Sequence, residues 1–123
     1  MKTISTENAP AAIGPYSQAI VSGGFVFVSG QIAIDPACGE IVAPEIFLQT
    51  EQVMKNIGAL LKAAGSGFER VVKATCYLAN MEDFDAFNVV YSKYMTSRPA
   101  RACVAVKQLP KHVLCEVDAI AEV

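Results

Sequence analysis

The stretch from Ala19 to Val28, AIVSGGFVFV, constrains the fold more than any other part of this chain. Gly23-Gly24 is a tight-turn dipeptide between two short runs rich in β-branched and aromatic residues. It predicts two antiparallel strands, Ala19 to Ser22 and Phe25 to Val28. Phe25, Val26, Phe27 and Val28 do not alternate with polar residues, so both faces of the second strand require cover. Helices can cover one face; the other needs a second apolar surface. With Gly counted and Tyr left out, about 56% of the 123 residues are apolar, against a usual ~45–50%. A monomer of this size buries about two-thirds of the surface its unfolded chain exposes, so the surplus predicts oligomerisation.

A membrane span does not account for the surplus, because no uninterrupted apolar run approaches the ~20 residues a spanning helix needs. The start, MKTISTENAPAAIG, carries one Lys, an early Glu7 and no apolar core. It reads as neither a secretory signal nor a transit peptide, and the chain is expected to be cytosolic. A net charge of −2 and a pI near 5.3 provide no basic field, so nucleic acid is not an expected partner.

The rest of the pattern is consistent with one domain over residues 1–123. Asp35-Pro36 and Cys38-Gly39 mark a turn. From Ile46 to Ala64, the residues Thr50, Val53, Met54, Ile57, Leu60, Leu61 and Ala64 recur at helical spacing, and Gly65 is placed to end the helix. Val72, Ala74, Cys76 and Leu78 alternate with Lys73, Thr75 and Tyr77 as a strand with one more polar face. Asn80 can cap a second helix, with Glu82 and Asp83 near its positive end and Phe84, Phe87, Tyr91 and Tyr94 along one face. After Pro99, Ala102, Val104 and Val106 alternate with Arg101, Cys103 and Ala105. Beyond Leu109-Pro110, Cys115, Val117, Ala119 and Ala121 alternate with Glu116, Asp118 and Ile120. The order ββ, turn-rich connector, α, β, α, β, β predicts an α+β layer fold with helices on one sheet face. A hairpin of the last two strands is the natural local reading.

Few residues are equipped for chemistry. The four cysteines, at 38, 76, 103 and 115, form no CxxC pair and have no nearby histidine, so a metal site is not expected. Cys76 and Cys115 read as buried small hydrophobes, Cys103 less firmly so. His112, the only histidine, reads as an exposed loop residue. Arg101 stands out, because an arginine inside a strand-like run must find an anion, a partner carboxylate or an intersubunit crevice. An ion pair with Glu116 is the competing structural explanation. Tyr16 follows Gly14-Pro15 and is presented from a loop near the first strand. Ser29-Gly30 ends the FVFV strand, where glycine lets a ligand approach backbone donors.

GPYSQA at 14–19, FVFVSGQIAIDP at 25–36, QTEQVMKNI at 49–57, VVKATCYLANMEDF at 71–84 and PARACVAVKQLPK at 99–111 together resemble the Rid/YjgF family. The resemblance implies a Bacillus chorismate-mutase-like α+β fold in which a mixed sheet carries two helices on one face. It also implies a final strand placed centrally, and a homotrimer with ligand clefts between subunits. The implied activity is hydrolysis of reactive enamine and imine acids, such as 2-aminoacrylate and 2-iminobutanoate, to 2-keto acids and ammonia. Such intermediates escape from pyridoxal-phosphate enzymes acting on serine or threonine, and their hydrolysis needs no cofactor. By this likeness Arg101 grips the substrate carboxylate, Tyr16 is the loop tyrosine, Ser29 and Gly30 are the strand-end pair, and Glu116 is the last-strand glutamate. Cys103 matches a cleft position whose backbone matters more than its thiol. Arg98 stands where the family commonly has an aromatic residue, and the loop MTSRPAR is shorter than usual, so substrate breadth is in question more than the reaction class; Arg98 itself is expected to be a solvated surface arginine. A non-catalytic carboxylate-binding module is the second reading, and a ribonuclease or translation inhibitor the third.

Overall fold

The computed structural model describes residues 1–123. Its strands are β1 (Lys2–Ile4), β2 (Ala19–Ser22), β3 (Phe25–Gln31), β4 (Ile34–Asp35), β5 (Glu40–Ile41), β6 (Val71–Leu78), β7 (Ala100–Ala105) and β8 (Cys115–Glu122). Helix α1 spans Ile46–Ala63 and α2 spans Phe84–Tyr94. The main sheet has the order β1-β2-β3-β8-β6-β7, with β6 and β7 parallel and the other neighbours antiparallel. This is an α+β mixed sheet with two helices.

The β2–β3 hairpin forms as its turn predicts: Ser22 pairs with Phe25, and Gly23 and Gly24 have φ of 61° and 85°. Two successive positive φ values match the strands' right-handed twist and favour glycine at both positions. In β3, Val26 and Val28 are buried, whereas Phe25 and Phe27 are 38% and 45% exposed. The strand therefore has one face in the core and an uncovered aromatic face. Helix α1 starts at Glu45, whose carboxylate accepts the Phe47 and Leu48 N–H groups at 2.9 and 2.8 Å. It ends where Gly65 turns left-handed, φ 79°, with Ser66 N–H bonding Leu61 O and Gly65 N–H bonding Lys62 O. That pair of bonds satisfies carbonyls the helix would leave open. Val53, Met54, Ile57, Leu60 and Leu61 on α1 and Phe87 on α2 pack onto Val26, Ala74, Cys76, Val117 and Ala119 of the sheet. No helix is long and apolar enough to cross a membrane.

Three expectations need correction. The last two strands do not form a hairpin: β7 runs parallel to β6, and β8 lies between β3 and β6, as the family resemblance implies. Val72 does not belong to the apolar face of β6. A register shift between Val71 and Lys73 turns Val71 inward and leaves Val72 39% exposed. The N-terminus also supplies a short strand, β1, that the pattern did not suggest. Only Ile4 of its three residues is buried, too little to produce a readable alternation.

Candidate active site

The first group of site residues gathers on the open face of the sheet. Glu116 of β8 lies between buried Cys115 and Val117, so it points away from the helices. It rests against Gly30 at the end of β3: a Cβ on Gly30 would collide with the Glu116 Oε2. The absence of a side chain at Gly30 lets the Glu116 carboxyl take this position; a Cβ there would displace it. Burial, and to a lesser degree the Asp118 charge, raise the Glu116 pKa above the usual carboxylate value. Ser29 and Gly30 fall within the β3–β8 register shift between Val28 and Gln31, an irregularity that re-aims the strand end. The Ser29 hydroxyl donates to Ser17 O at 2.6 Å and its N–H to Gln18 O at 3.0 Å, which ties the strand end to the loop bearing Tyr16.

Gln18, 5% exposed, anchors the segment ahead of that loop: its Nε2 donates to Pro10 O at 2.7 Å and its Oε1 accepts the Thr6 N–H at 2.8 Å. Tyr16 remains 54% exposed on a turn set by Gly14, φ 131°. Tyr16, Gly30 and Glu116 line one cavity of about 380 Å³, together with Lys111. Lys111 and His112 both have left-handed backbones, φ 55° and 56°, and His112 is exposed as expected.

The second group lies across the sheet. Cross-strand pairing puts Arg101 beside Ala74 and Cys103 beside Cys76, both partners buried in the helix-facing core. Arg101 and Cys103 consequently share that face, and each is half-buried. The Arg101 Nη1 donates to Asn88 Oδ1 at 2.7 Å, and its guanidinium carbon stands 4.8 Å from the Tyr91 ring centre and 5.5 Å from that of Phe84. Each aromatic contact contributes about 0.5–2 kcal/mol, and the charge-assisted bond about 1.5–3 kcal/mol. A cavity of about 290 Å³ opens here, with Asn88, Tyr91, Arg98 and Arg101 among its lining residues and no carboxylate. The Arg101–Glu116 ion pair does not form, because the two residues occupy opposite faces of the sheet.

The six expected site residues thus separate, with Tyr16, Ser29, Gly30 and Glu116 on one side and Arg101 and Cys103 on the other. Cys103 sits beside buried Cys76, and burial raises its thiol pKa; Cys76 itself is pushed up to about 12. Both thiols are poor nucleophiles at neutral pH. Asn88, which holds the guanidinium, was not singled out from the sequence. It lies four residues after Phe84 and three before Tyr91, a lone amide within the aromatic stripe, and that interruption was the available signal.

Comparison with known proteins agrees with this architecture over nearly the whole chain. The family model for Endoribonuclease L-PSP matches residues 6–123. A Lactococcus lactis protein named as a candidate regulator, AldR, is 55% identical over 100% of this chain and 98% of its own length. The 2-iminobutanoate/2-iminopropanoate deaminase of Capra hircus is 49% identical, covering 98% of this chain and 88% of the relative. A Thermotoga maritima crystal structure, described as a candidate endoribonuclease, superposes with a TM-score of 0.97 at 48% identity, covering 100% of this chain and 98% of the other. The chain belongs to the Endoribonuclease L-PSP family, also known as the YjgF/Rid family.

Proposed function

We propose that this protein hydrolyses reactive 2-imino and 2-enamino acids, such as 2-iminobutanoate and 2-aminoacrylate, to 2-keto acids and ammonia. The observation that carries this reading is Arg101: a guanidinium fixed by Asn88 above two aromatic rings, with no carboxylate beside it in its cavity. A planar cation so held is suited to a small organic acid. The relatives named as 2-iminobutanoate/2-iminopropanoate deaminases support the choice of acid.

The reaction demands little of the protein. An imine carbon is already electrophilic, so orientation and one positioned water supply most of what is needed. Arg101 holds the carboxylate. Glu116, or a backbone carbonyl near Cys103, orients the water; its oxygen adds to the imine carbon, its two protons end on nitrogen, and the C–N bond breaks to release ammonia. Tyr16 closes the site over the reacting carbon, and the Ser29-Gly30 strand end offers backbone groups to the substrate.

Within one chain the sheet lies between Arg101 and Glu116, so the reaction centre is assembled from two copies. We propose a homotrimer whose sheets pack through their open faces, where Phe25, Phe27 and Val104 stand exposed. A cleft between neighbours then receives Arg101 from one copy and Tyr16, Gly30 and Glu116 from the next. The decisive experiment feeds threonine to a pyridoxal-phosphate dehydratase and follows decay of the iminobutanoate with and without this protein. Faster decay, lost in Arg101→Ala, supports the reading. Binding of 2-keto acids without acceleration favours a carboxylate-binding regulator, the alternative consistent with the AldR relative.

A further inference from the structure

The cavity beside Arg101 offers more to an anion than one carboxylate uses. Arg98, at the end of the connection from α2 to β7, lines this cavity with Arg101 and has a left-handed backbone, φ 52°, its N–H bonded to Met95 O at 3.2 Å. A bulky non-glycine residue rarely adopts that conformation, and such strain persists where the surroundings hold it. None of the residues lining the cavity is an aspartate or glutamate, so nothing within it neutralises the two guanidinium groups. Tyr91 is 8% exposed, and its hydroxyl is buried without any hydrogen-bond partner. Buried hydroxyls are ordinarily paired, and this one stands closed off from solvent in the wall behind Arg101.

We propose that this cavity receives the side-chain carboxylate of a dicarboxylic 2-imino acid, so that the protein's substrates include imines of acidic amino acids. The inference rests on the hydrolysis proposed above and extends it. Arg101 keeps the carboxylate next to the imine carbon. Arg98, exposed at the rim of the cavity, pairs with the second carboxylate. The chemistry is unchanged: 2-iminosuccinate and water give oxaloacetate and ammonia, with the C=N bond replaced by C=O and both water protons carried by nitrogen. A substrate with an alkyl side chain leaves Arg98 without a partner, whereas the dicarboxylic acid engages it.

The test compares imines made in situ by an amino-acid oxidase from aspartate and from 2-aminobutyrate, following keto acid release above the spontaneous rate. It uses the wild-type protein, Arg98→Ala and Arg98→Lys. Loss of the Arg98 pair is expected to lower kcat/KM for 2-iminosuccinate about tenfold more than for 2-iminobutanoate, chiefly through KM, with partial recovery in Arg98→Lys. If the wild-type protein accelerates decay of 2-iminobutanoate but not of 2-iminosuccinate, the inference is overturned and the proposed function stands. Equal losses on both substrates in Arg98→Ala overturn it as well. Acceleration of neither imine overturns both. Thermal unfolding of each variant identifies any loss that comes from misfolding, and Arg98→Lys retains the charge that an electrostatic role requires.

Discussion

On the function proposed above, the two faces of the central sheet carry different halves of one chemistry. On the helix-facing side, Arg101 is held by Asn88, Tyr91 and Phe84, so its position is set within a single chain. On the open side, Glu116 leans on Gly30 near a tyrosine that is 54% exposed, and the surrounding surface includes uncovered Phe25 and Phe27. The first half has a guanidinium with several partners but no carboxylate in its cavity; the second holds a carboxyl of raised pKa but lacks cover. In the proposed homotrimer each half supplies what the other lacks, which joins the apolar surplus and the division of the site in one explanation.

Substitutions on the two sides should fail in different ways. Arg101→Ala is expected to return iminobutanoate decay to its spontaneous rate while the proposed homotrimer, measured by light scattering, stays intact. Retained turnover would remove Arg101 from the centre of the account. Glu116→Gln is expected to cost about 10²–10⁴-fold in kcat, the usual range for a positioned acid or base. The wild-type rate should rise with pH through a midpoint above 4.5, the ordinary Glu value, because burial makes the folded carboxyl hold its proton to higher pH. In Glu116→Gln that limb should be absent from the pH–rate profile.

Gly30→Ala sharpens the contrast further. The new methyl group would fall on the Glu116 carboxylate and push that flexible side chain aside. A displacement of about 1 Å costs on the order of 10²-fold in rate, so activity should drop while the unfolding temperature changes little. Asn88→Ala is the mildest change: loss of one bond to the guanidinium is expected to raise KM about tenfold with a smaller effect on kcat.

Much of this fold was legible because its signals are local. The Gly23-Gly24 hairpin, the end of α1 at Gly65 and the aromatic stripe of α2 each follow from a few adjacent residues and hold in the structure. What escaped depends on distant partners. The parallel pairing of β7 with β6 competes with a nearer hairpin, and only the family resemblance pointed away from it. The turn of Val72 outward follows from a one-residue register shift against β8, which alternation along β6 alone does not reveal. The site residues were identifiable by type, but their division between two faces was not, since strand alternation gives each residue a parity without saying which face the helices cover. Asn88 was missed for the same reason: its importance comes from Arg101, thirteen positions later in the chain.

Complementation between inactive variants tests the division most directly. Arg101→Ala and Glu116→Gln chains, co-expressed in equal amounts, form mixed assemblies. In a cyclic trimer each mixed assembly contains one cleft with both wild-type halves, so random mixing should restore about one quarter of wild-type activity. Recovery near that value is the predicted result. Mixed trimers, demonstrated by differential tagging, that remain as inactive as either variant alone would contradict a centre shared between two copies.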